Sequence, residues 1–583
     1  MGATTVGGAP PQGGRSVLGR ALWYRQVDRY PDTAPRLLYL GIVVVATIIL
    51  YYQLYVPGAV APQILAHYHM SFRFYVDITV VLNAIGACTS VLAGLADRWG
   101  RANLVAYGLG ATGLITLFAM PHAPNEWTFA VAYSAVGFVE GIILVATPAL
   151  VRDFSPQLGR ASAMGFWTLG PVVGSLVVAE VASHTLSHLV AWQDQLTICG
   201  IVGVVVFLVA LLGLRELSPN LRDQLMVSMR DRALVEARAK GIDVEGALRR
   251  PWRQVLHADI VLSAVAISLL LIIYYTAVGF NPVYFETVFD FSPSQANALG
   301  NWWWLANAIA LVAVGVISDR LRVRKPFMIV GGAGAVAMTI VYLGKATAPH
   351  TSYYTLAWTV AVLAVFLAIA FAPWMASFTE TVERRNPALT AHGLAIWGWV
   401  IRATVAISVF ILPYVVSSTT ALVQYGAAVR AAEASVQTAP PVKVPHVTAP
   451  QPLLTVVETH AALFAKLASY PSAKAIPPSV LGSAVKMVGI PALLEAQKYA
   501  APLEVLSAHG VAVAGAATAT PSEWQHWWWV CVGGEILFVP LVLFMTGRWS
   551  PRRAKRDEAE HDQQVQQELA KLEAGRGADP ATP

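Results

Sequence analysis

Four ionisable residues lie inside apolar stretches that are long enough to cross a membrane. They are Glu140, Arg402, Asp77 and Glu535. An unpaired charge at the centre of a bilayer costs at least about 2.5–3.5 kcal/mol, so each of them needs a partner, water or a proton. Burial favours the neutral form of a carboxylic acid. Glu140, halfway along its stretch, is therefore the first candidate for loading and releasing a proton.

Arg402 lies near the middle of another stretch and is the candidate binding group for an anionic substrate. A structural ion pair between Arg402 and Glu535 is the competing interpretation. Aromatic and amide side chains at similar depth are candidates for lining a cavity, although tyrosines at a lipid interface fit the pattern equally well. These cavity candidates are Tyr51, Tyr52, Gln53, Asn83, Tyr274, Tyr275, Asn301 and Asn307.

The composition is that of a membrane protein. The 583 residues have a mean hydropathy of +0.55, and only 13% of them are charged, against about 25% in soluble domains. The net charge of +6 indicates basic residues beside membrane spans and gives no reason to expect nucleic-acid binding. The three cysteines all lie in apolar stretches, so no disulfide framework is expected. We expect no metal site, no cofactor and no enzymatic activity, because neither a metal-ligand cluster nor a phosphate-binding loop is recognisable.

Twelve apolar stretches predict an all-α polytopic membrane protein, since a span needs about 20 apolar residues. The predicted spans are 37–56, 74–96, 103–120, 127–151, 161–182, 196–214, 258–280, 298–317, 326–343, 355–378, 393–416 and 525–545. They divide the chain into a tail (1–36), a first six-helix half (37–214), a connector (215–257), spans seven to eleven (258–416), an insert (417–524), the last span (525–547) and a second tail (548–583).

The short loops predict the orientation of the chain. Lys and Arg concentrate in one set of loops, in both tails and in the connector. By the positive-inside rule both termini are cytoplasmic, and the protein is a multi-pass protein of the plasma membrane. The first apolar stretch is too long for a signal peptide and is expected to remain. The insert is either a small extracytoplasmic subdomain or a partly ordered loop.

Three sequence features recur at a nearly constant offset. Asp97, Arg98, Gly100 and Arg101 follow the second span, and Gly315, Asp319 and Arg320 close the eighth. Pro57 at the end of the first span corresponds to Pro282 in the seventh. Gly165 and Gly170 in the fifth span correspond to Gly393 and Gly398 in the eleventh. Such a repeat implies duplicated six-span halves with a binding site between them near mid-membrane.

The loop from Asp97 to Arg101 closely resembles the signature loop of the major facilitator superfamily. This resemblance implies two pseudo-symmetric six-helix bundles and secondary transport. The lack of a recognisable phosphate-binding loop argues against direct ATP coupling. The resemblance also implies that Asp97 faces the positive N-terminus of span eleven, where the contact could hold the cytoplasmic side closed. Asp319 and the start of span five would form the corresponding contact in the repeat. The alternative is that these charges only set the topology.

Gly170, Pro171 and Gly174 resemble the antiporter signature of the same family and are the candidate hinge in span five. Asn281 and Pro282 are expected to break span seven near an outer gate. We therefore predict a monomeric, proton-coupled carrier of a small organic molecule, with export by antiport favoured. The alternatives are a proton symporter that imports a metabolite or organic anion, and a lipid-related or cell-envelope protein that uses the insert.

Overall fold

The computed structural model describes residues 22–90, 99–155, 169–221, 256–385, 390–445, 447–470, 475–545 and scattered positions of the tail between 547 and 566. Within these ranges the protein is almost entirely helical. Two exceptions occur among the described residues. One is an isolated bridge, and the other is the parallel pairing of two short strands, β1 (Gln26–Val27) and β2 (Glu216–Leu217).

Spans one to six form the first half of the bundle. Their helices are α1 (Thr33–Ala59), α3 (Phe72–Ser90), α4 (Arg101–Leu114), α5 (Glu126–Phe154), α6 (Gly170–Thr185) and α7 (Trp192–Gly213). A short helix α2 (Ala61–His67) follows span one, and span three ends in a π-helical turn, Ile115–Ala119.

Spans seven to twelve form the second half. Span seven consists of α8 (Ala258–Leu270) and α9 (Ile272–Val288), and it is followed by α10 (Pro293–Leu321), α11 (Lys325–Ala346), α12 (Tyr353–Arg385), α13 (Thr390–Val415) and α19 (Ala500–Phe544). The insert contains α14 (Thr419–Gln437), α15 (Leu453–Thr459), α16 (Ala461–Ala468), α17 (Pro478–Val488) and α18 (Ile490–Lys498).

Of the described helices, eleven in this bundle are long and apolar enough to cross a membrane. The remaining span is the fifth: its described part is 16 residues long, and its predicted start lies outside the described residues. The two halves meet where span five packs on span eight, span two on span eleven, and span one on span seven. These contacts obey the twofold symmetry that the sequence repeat implies.

Local sequence explains where several spans begin. Ser292 accepts a hydrogen bond from the backbone of Gln295, whose side chain in turn accepts from the Ser292 backbone, so this capping box starts span eight. Asn125 caps span four by accepting from the Thr128 backbone N–H. Span eight ends at Arg322, which has a left-handed backbone (φ 55°) that halts the helix.

The expected break at Pro282 was wrong. Pro282 lies inside a helix, and span seven is interrupted at Leu271 instead. Pro57 lies two residues before the end of the first helix, as expected. A proline in a helix removes one backbone hydrogen bond, here the bond to the carbonyl of Val278. Neighbouring helices can compensate for that loss inside a packed bundle. The backbone of Gly58 packs against this free carbonyl. A Cβ added to Gly58 would lie only 3.0 Å from the Val278 oxygen.

The predicted boundary at residue 524 does not coincide with a helix end. The last helix is 45 residues long and starts at Ala500, which corresponds to about 68 Å, roughly twice the thickness of a hydrocarbon core. Residues 500–520 are rich in alanine, which favours helix, so span twelve continues into the insert. The insert also has two apolar cores of its own, so its described residues form a folded helical subdomain.

The N-terminal segment is fastened to the first half by Arg25. Its guanidinium is 2% exposed and donates to the carbonyls of Ala210 and Leu211 in span six at 2.8 and 2.9 Å. It also donates to Asn103 Oδ1 at the start of span three at 2.9 Å. Burial lowers the pKa of Arg25, and the carbonyl acceptors offset the cost of desolvating its charge.

Arg25→Ala is expected to lower the melting temperature of the detergent-solubilised protein. The substitution leaves several helix-end carbonyls without a hydrogen-bond donor, which lowers the free energy of unfolding by about 1–3 kcal/mol for each buried group. Thermal unfolding followed by tryptophan fluorescence measures the effect, with Arg29→Ala as the control because Arg29 is exposed. Equal melting temperatures of the two variants would show that Arg25 is not an anchor.

Candidate functional site

Glu140 and Arg402 come from different halves and meet beside the same glycine. Arg402 Nη1, in span eleven, donates to the carbonyl of Gly86 in span two at 2.9 Å. Glu140, in span four, is buried (6% exposed), and its Oε2 lies 3.3 Å from the position that a Cβ on Gly86 would occupy. The two charges interact electrostatically. The Arg402 guanidinium therefore joins the two halves of the bundle beside a buried carboxyl.

Glycines let spans two and four approach closely enough to form this site. A Cβ on Gly141 would overlap the Thr89 hydroxyl and come within 2.9 Å of Gly86 Cα. A Cβ on Gly137 would lie 2.6 Å from the Leu82 side chain. Because small residues permit close helix packing in membranes, Glu140 reaches the backbone of span two.

Gly141→Ala is expected to separate spans two and four and to weaken the bond between Arg402 and Gly86. Overpacking of this kind costs about 1–3 kcal/mol, so the melting temperature should fall and transport should decrease. Gly533→Ala is the matched control, because nothing lies within 4 Å of a Cβ at that position in span twelve. Both variants are compared by thermal unfolding and flux, and equal behaviour would contradict the close packing.

Tyrosines surround the charged pair. Tyr51, Tyr133 and Tyr275 interact electrostatically with Glu140. The hydroxyl of Tyr133 donates to the Leu54 carbonyl at 2.9 Å and so ties span four to span one. The rings of Tyr274 and Tyr275 are 5.2 Å apart. Among the predicted cavity residues, the structure thus brings Tyr51, Tyr274 and Tyr275 to the centre with Glu140 and Arg402.

Other predicted cavity residues on the first two spans lie elsewhere. Tyr52 is buried and is near Cys199 of span six. Gln53 accepts from Thr112 of span three at 2.5 Å, so it packs inside the first half. Asn83 donates to its own helix at Thr79.

The two predicted asparagines of span eight also point away from the centre. Asn307 donates to the Ala364 carbonyl of span ten at 2.9 Å, inside the second half. Asn301 donates to the Ser183 hydroxyl at 3.1 Å, at the far end of span five. Neither side chain takes part in the charged centre.

Asp77 and Glu535 are also separate from the central pair. Asp77 is partly exposed and lies 3.9 Å from Arg73 one helical turn away. Glu535 is completely buried and accepts from Thr339 of span nine at 2.8 Å. The structure therefore places Arg402 with Gly86 and Glu140, whereas Glu535 bonds inside the second half.

The repeated loop motif forms ion pairs within each half. Arg101 Nη1 is 2.7 Å from Asp153 Oδ2 at the end of span four, and Gly100 has a left-handed backbone (φ 91°). In the repeat, Arg324 lies 3.0 Å from Glu380 and 2.7 Å from Asp319. Asp153 and Glu380 were not predicted, because they lie 52 and 56 residues along the chain from their partners. Arg324 was not predicted either, although it is only five residues from Asp319.

The predicted latch lies largely outside the described residues. Asp97 and Arg98 lie outside the described residues, as does the start of span five that was predicted to contact Asp319. Arg320 is exposed, and a Cβ on Gly315 would meet open space. The predicted latch therefore remains a prediction.

The predicted hinge in span five is a close helix contact in this structure. A Cβ on Gly170 would lie 2.8 Å from Thr47 Cγ2, and one on Gly174 would lie 2.6 Å from Tyr51 Cβ. Pro171 occupies the first turn of the described helix, a position that tolerates proline. These glycines hold span five against span one and beside Tyr51.

The face of the bundle on which the insert lies, called here the insert face, is closed by contacts between the halves. Gln63 donates to Glu286 at 3.2 Å, and Asn297 donates to the Ala59 carbonyl at 2.9 Å. Ser294 donates to the Ser183 carbonyl at 2.5 Å. A small cavity remains beneath them, lined by Tyr55, Ser175, Asn281, Pro282, Trp303 and Trp304 among others.

The comparisons with known proteins agree with this architecture. The sequence profile of the Major Facilitator Superfamily matches residues 43–431. A rice protein (Oryza sativa subsp. japonica) named probable anion transporter 3, chloroplastic, is 23% identical over 235 residues, which cover 39% of this chain and 44% of the rice protein. The match thus spans less than half the length of that relative.

Solved structures show the same fold. A bacterial homolog of the human lysosomal transporter Spinster, in an inward-facing and unoccupied conformation, superposes with a TM-score of 0.56 at 15% identity, covering 89% of this chain and 100% of the homolog. A D-xylose–proton symporter gives a TM-score of 0.51 at 15% identity, covering 65% of this chain and 90% of the symporter. With its two six-helix halves and a family match over most of its length, this chain belongs to the major facilitator superfamily of multi-pass membrane transporters.

Proposed function

We propose that the protein is a proton-coupled secondary transporter of a small organic anion. It works by alternating access as a monomer in the plasma membrane, with both termini in the cytoplasm. One observation supports this above all others: Arg402 of one half is hydrogen-bonded beside the buried Glu140 of the other half. A change in the charge of Glu140 therefore acts directly on a contact between the two moving halves.

The charge balance of this pair favours binding a proton and an anion together. When Glu140 is ionised, its charge balances that of Arg402. When Glu140 takes up a proton, the guanidinium loses this counter-charge and attracts an anionic substrate, since charges in a low-dielectric site interact strongly. The name of the rice relative, a probable anion transporter, is consistent with this substrate class.

This order of binding makes proton symport the leading mechanism. Antiport is the second candidate, favoured by the resemblance of Gly170, Pro171 and Gly174 to the antiporter signature. In antiport a cationic substrate would compete with the proton for Glu140, but Arg402 would repel it. We therefore place symport of an anion ahead of antiport.

Flux measurements in proteoliposomes test the proposal. Vesicles with the purified protein receive a metabolite mixture under an imposed pH gradient, and mass spectrometry identifies the solutes that accumulate. We expect an organic anion to accumulate in the alkaline compartment, together with protons, and a protonophore to prevent this. Accumulation of a cation in the acidic compartment would instead establish antiport. Flux that ignores the pH gradient would refute proton coupling.

A lipid-handling role is the remaining candidate, favoured by exposed apolar side chains on two insert helices. They include Leu481, Met487, Ile490 and Leu494. If this role were correct, the same vesicles would exchange fluorescent phospholipid between leaflets and show no solute flux. Solute accumulation without lipid exchange would remove this candidate.

A further inference from the structure

We propose that helix α14 of the insert is a strap that holds the insert face of the transporter closed and must detach from the first half before that face opens. The proposal rests on the alternating-access function but not on the identity of the substrate or the coupling ion. The strap is helix α14, and it connects the outer loop of the first half to the second half.

The strap is firmly attached to the second half. It follows span eleven directly, and it packs along α19, the continuation of span twelve, with Leu422 and Val429 against Val513 and Ala516. The junction before the strap is fixed as well, because Glu523 of α19 accepts hydrogen bonds from the backbone and the hydroxyl of Ser418, both at 2.8 Å. The strap therefore has to move with the second half.

The same helix contacts the first half at the loop between spans one and two. Gln424 Nε2 donates to the carbonyl of His69 at 2.6 Å. The Thr420 hydroxyl accepts from the Phe72 backbone N–H at 3.2 Å. The ring of Tyr425 stacks between two histidines, at 6.3 Å from His69 and 3.8 Å from His509 of α19.

Both loops that the strap contacts have a strained residue at the point of contact. His69 (φ 50°) and Asp290 (φ 55°) are two of the three non-glycine residues with positive φ among those described. They follow α2 and α9 at equivalent places in the two halves, and Arg430 of the strap lies 3.3 Å from Asp290. A left-handed backbone is unfavourable for such residues unless surrounding contacts hold it. One helix thus holds the equivalent outer loops of both halves.

Opening of the insert face moves the first half away from the second. The contacts of Gln424, Thr420 and Tyr425 with the first half must then break, whereas those of Arg430 and Glu523 lie inside the second half and remain. A contact that is made in only one state shifts the population toward that state. The strap therefore favours the closed insert face.

Labelling of a buried cysteine measures this opening directly. Ser175→Cys, in a Cys88→Ala background, places a thiol in the small cavity, where Ser175 is 3% exposed. The full-length protein is held in vesicles with the insert face outward, and a membrane-impermeant maleimide is added outside. Gln424→Ala combined with Tyr425→Ala should raise the labelling rate about tenfold. This factor corresponds to the free energy of the hydrogen bond and the ring contact that the closed state loses.

The control is Gln437→Ala, because Gln437 is exposed at the end of the same helix. It should label at the parent rate. If the double variant does not fold, Thr420→Val removes only the acceptor for the Phe72 N–H and should raise the rate by a smaller factor. Labelling of a folded strap variant at the parent rate would overturn the proposal, as would rapid labelling of the parent. No substrate or proton gradient is used, so failure of proton coupling would leave this result unaffected.

Discussion

Glu140→Gln is expected to abolish accumulation driven by a pH gradient while exchange of substrate across the membrane continues. Glutamine has the size of protonated glutamic acid, so the packing against Gly86 should remain. It cannot gain or lose a proton, and it leaves Arg402 permanently available to an anion. Substrate on both sides can therefore still exchange, but protons no longer drive net movement.

The pH dependence gives this prediction a second measurement. In the wild type, accumulation should fall as the pH on the loading side rises, because Glu140 is then protonated less often. Exchange by Glu140→Gln should not vary with pH over the same range. Glu180→Gln is the control, since Glu180 is an exposed acid at the end of span five. A Glu140→Gln variant that still accumulates substrate under the pH gradient would exclude Glu140 as the coupling group.

Arg402→Ala is expected to remove both accumulation and exchange. The substitution deletes the hydrogen bond to Gly86 that joins the halves. It also removes the cation next to Glu140, the only one that interacts with this carboxyl among the described residues. Leaving a buried carboxylate without its cation is unfavourable, so Glu140 should stay protonated and the protein should still fold. Substrate binding, measured by protection from heat denaturation, should disappear.

Arg402→Lys separates charge from geometry. A lysine retains the positive charge, but its single ammonium group cannot both donate to Gly86 and stay beside Glu140. The forked guanidinium of arginine can do both at once. We expect partial exchange and weaker binding. Arg29→Ala is the control, because Arg29 is an exposed arginine of the N-terminal segment, outside the spans.

A double-mutant cycle tests whether Glu140 and Arg402 act as one unit. If they do, the melting temperature of the variant with Glu140→Gln and Arg402→Ala should fall by less than the sum of the decreases in the two single variants, because coupled residues give non-additive effects. Decreases that add would show that the two residues act independently, and the proposed proton–anion coupling would then be wrong.

The sequence by itself predicted the membrane architecture, because this depends on local composition. Apolar stretches of sufficient length, separated by charged loops, determine the spans, and the repeated loop after spans two and eight indicates the two halves. The same reasoning made Glu140 and Arg402 candidates, since a charge within an apolar stretch stands out without any knowledge of its neighbours. The family resemblance followed from the residues of one loop.

Only the tertiary structure decided which of these residues meet. Tyr51, Tyr52 and Gln53 are consecutive, but successive residues of a helix point in directions about 100° apart. Tyr51 thus faces the central pair, whereas Gln53 packs against span three. The sequence gives the depth of a residue along its span, but its direction depends on how the helices pack. That packing is set by close contacts such as Gly86 against Gly141, between residues far apart in the chain.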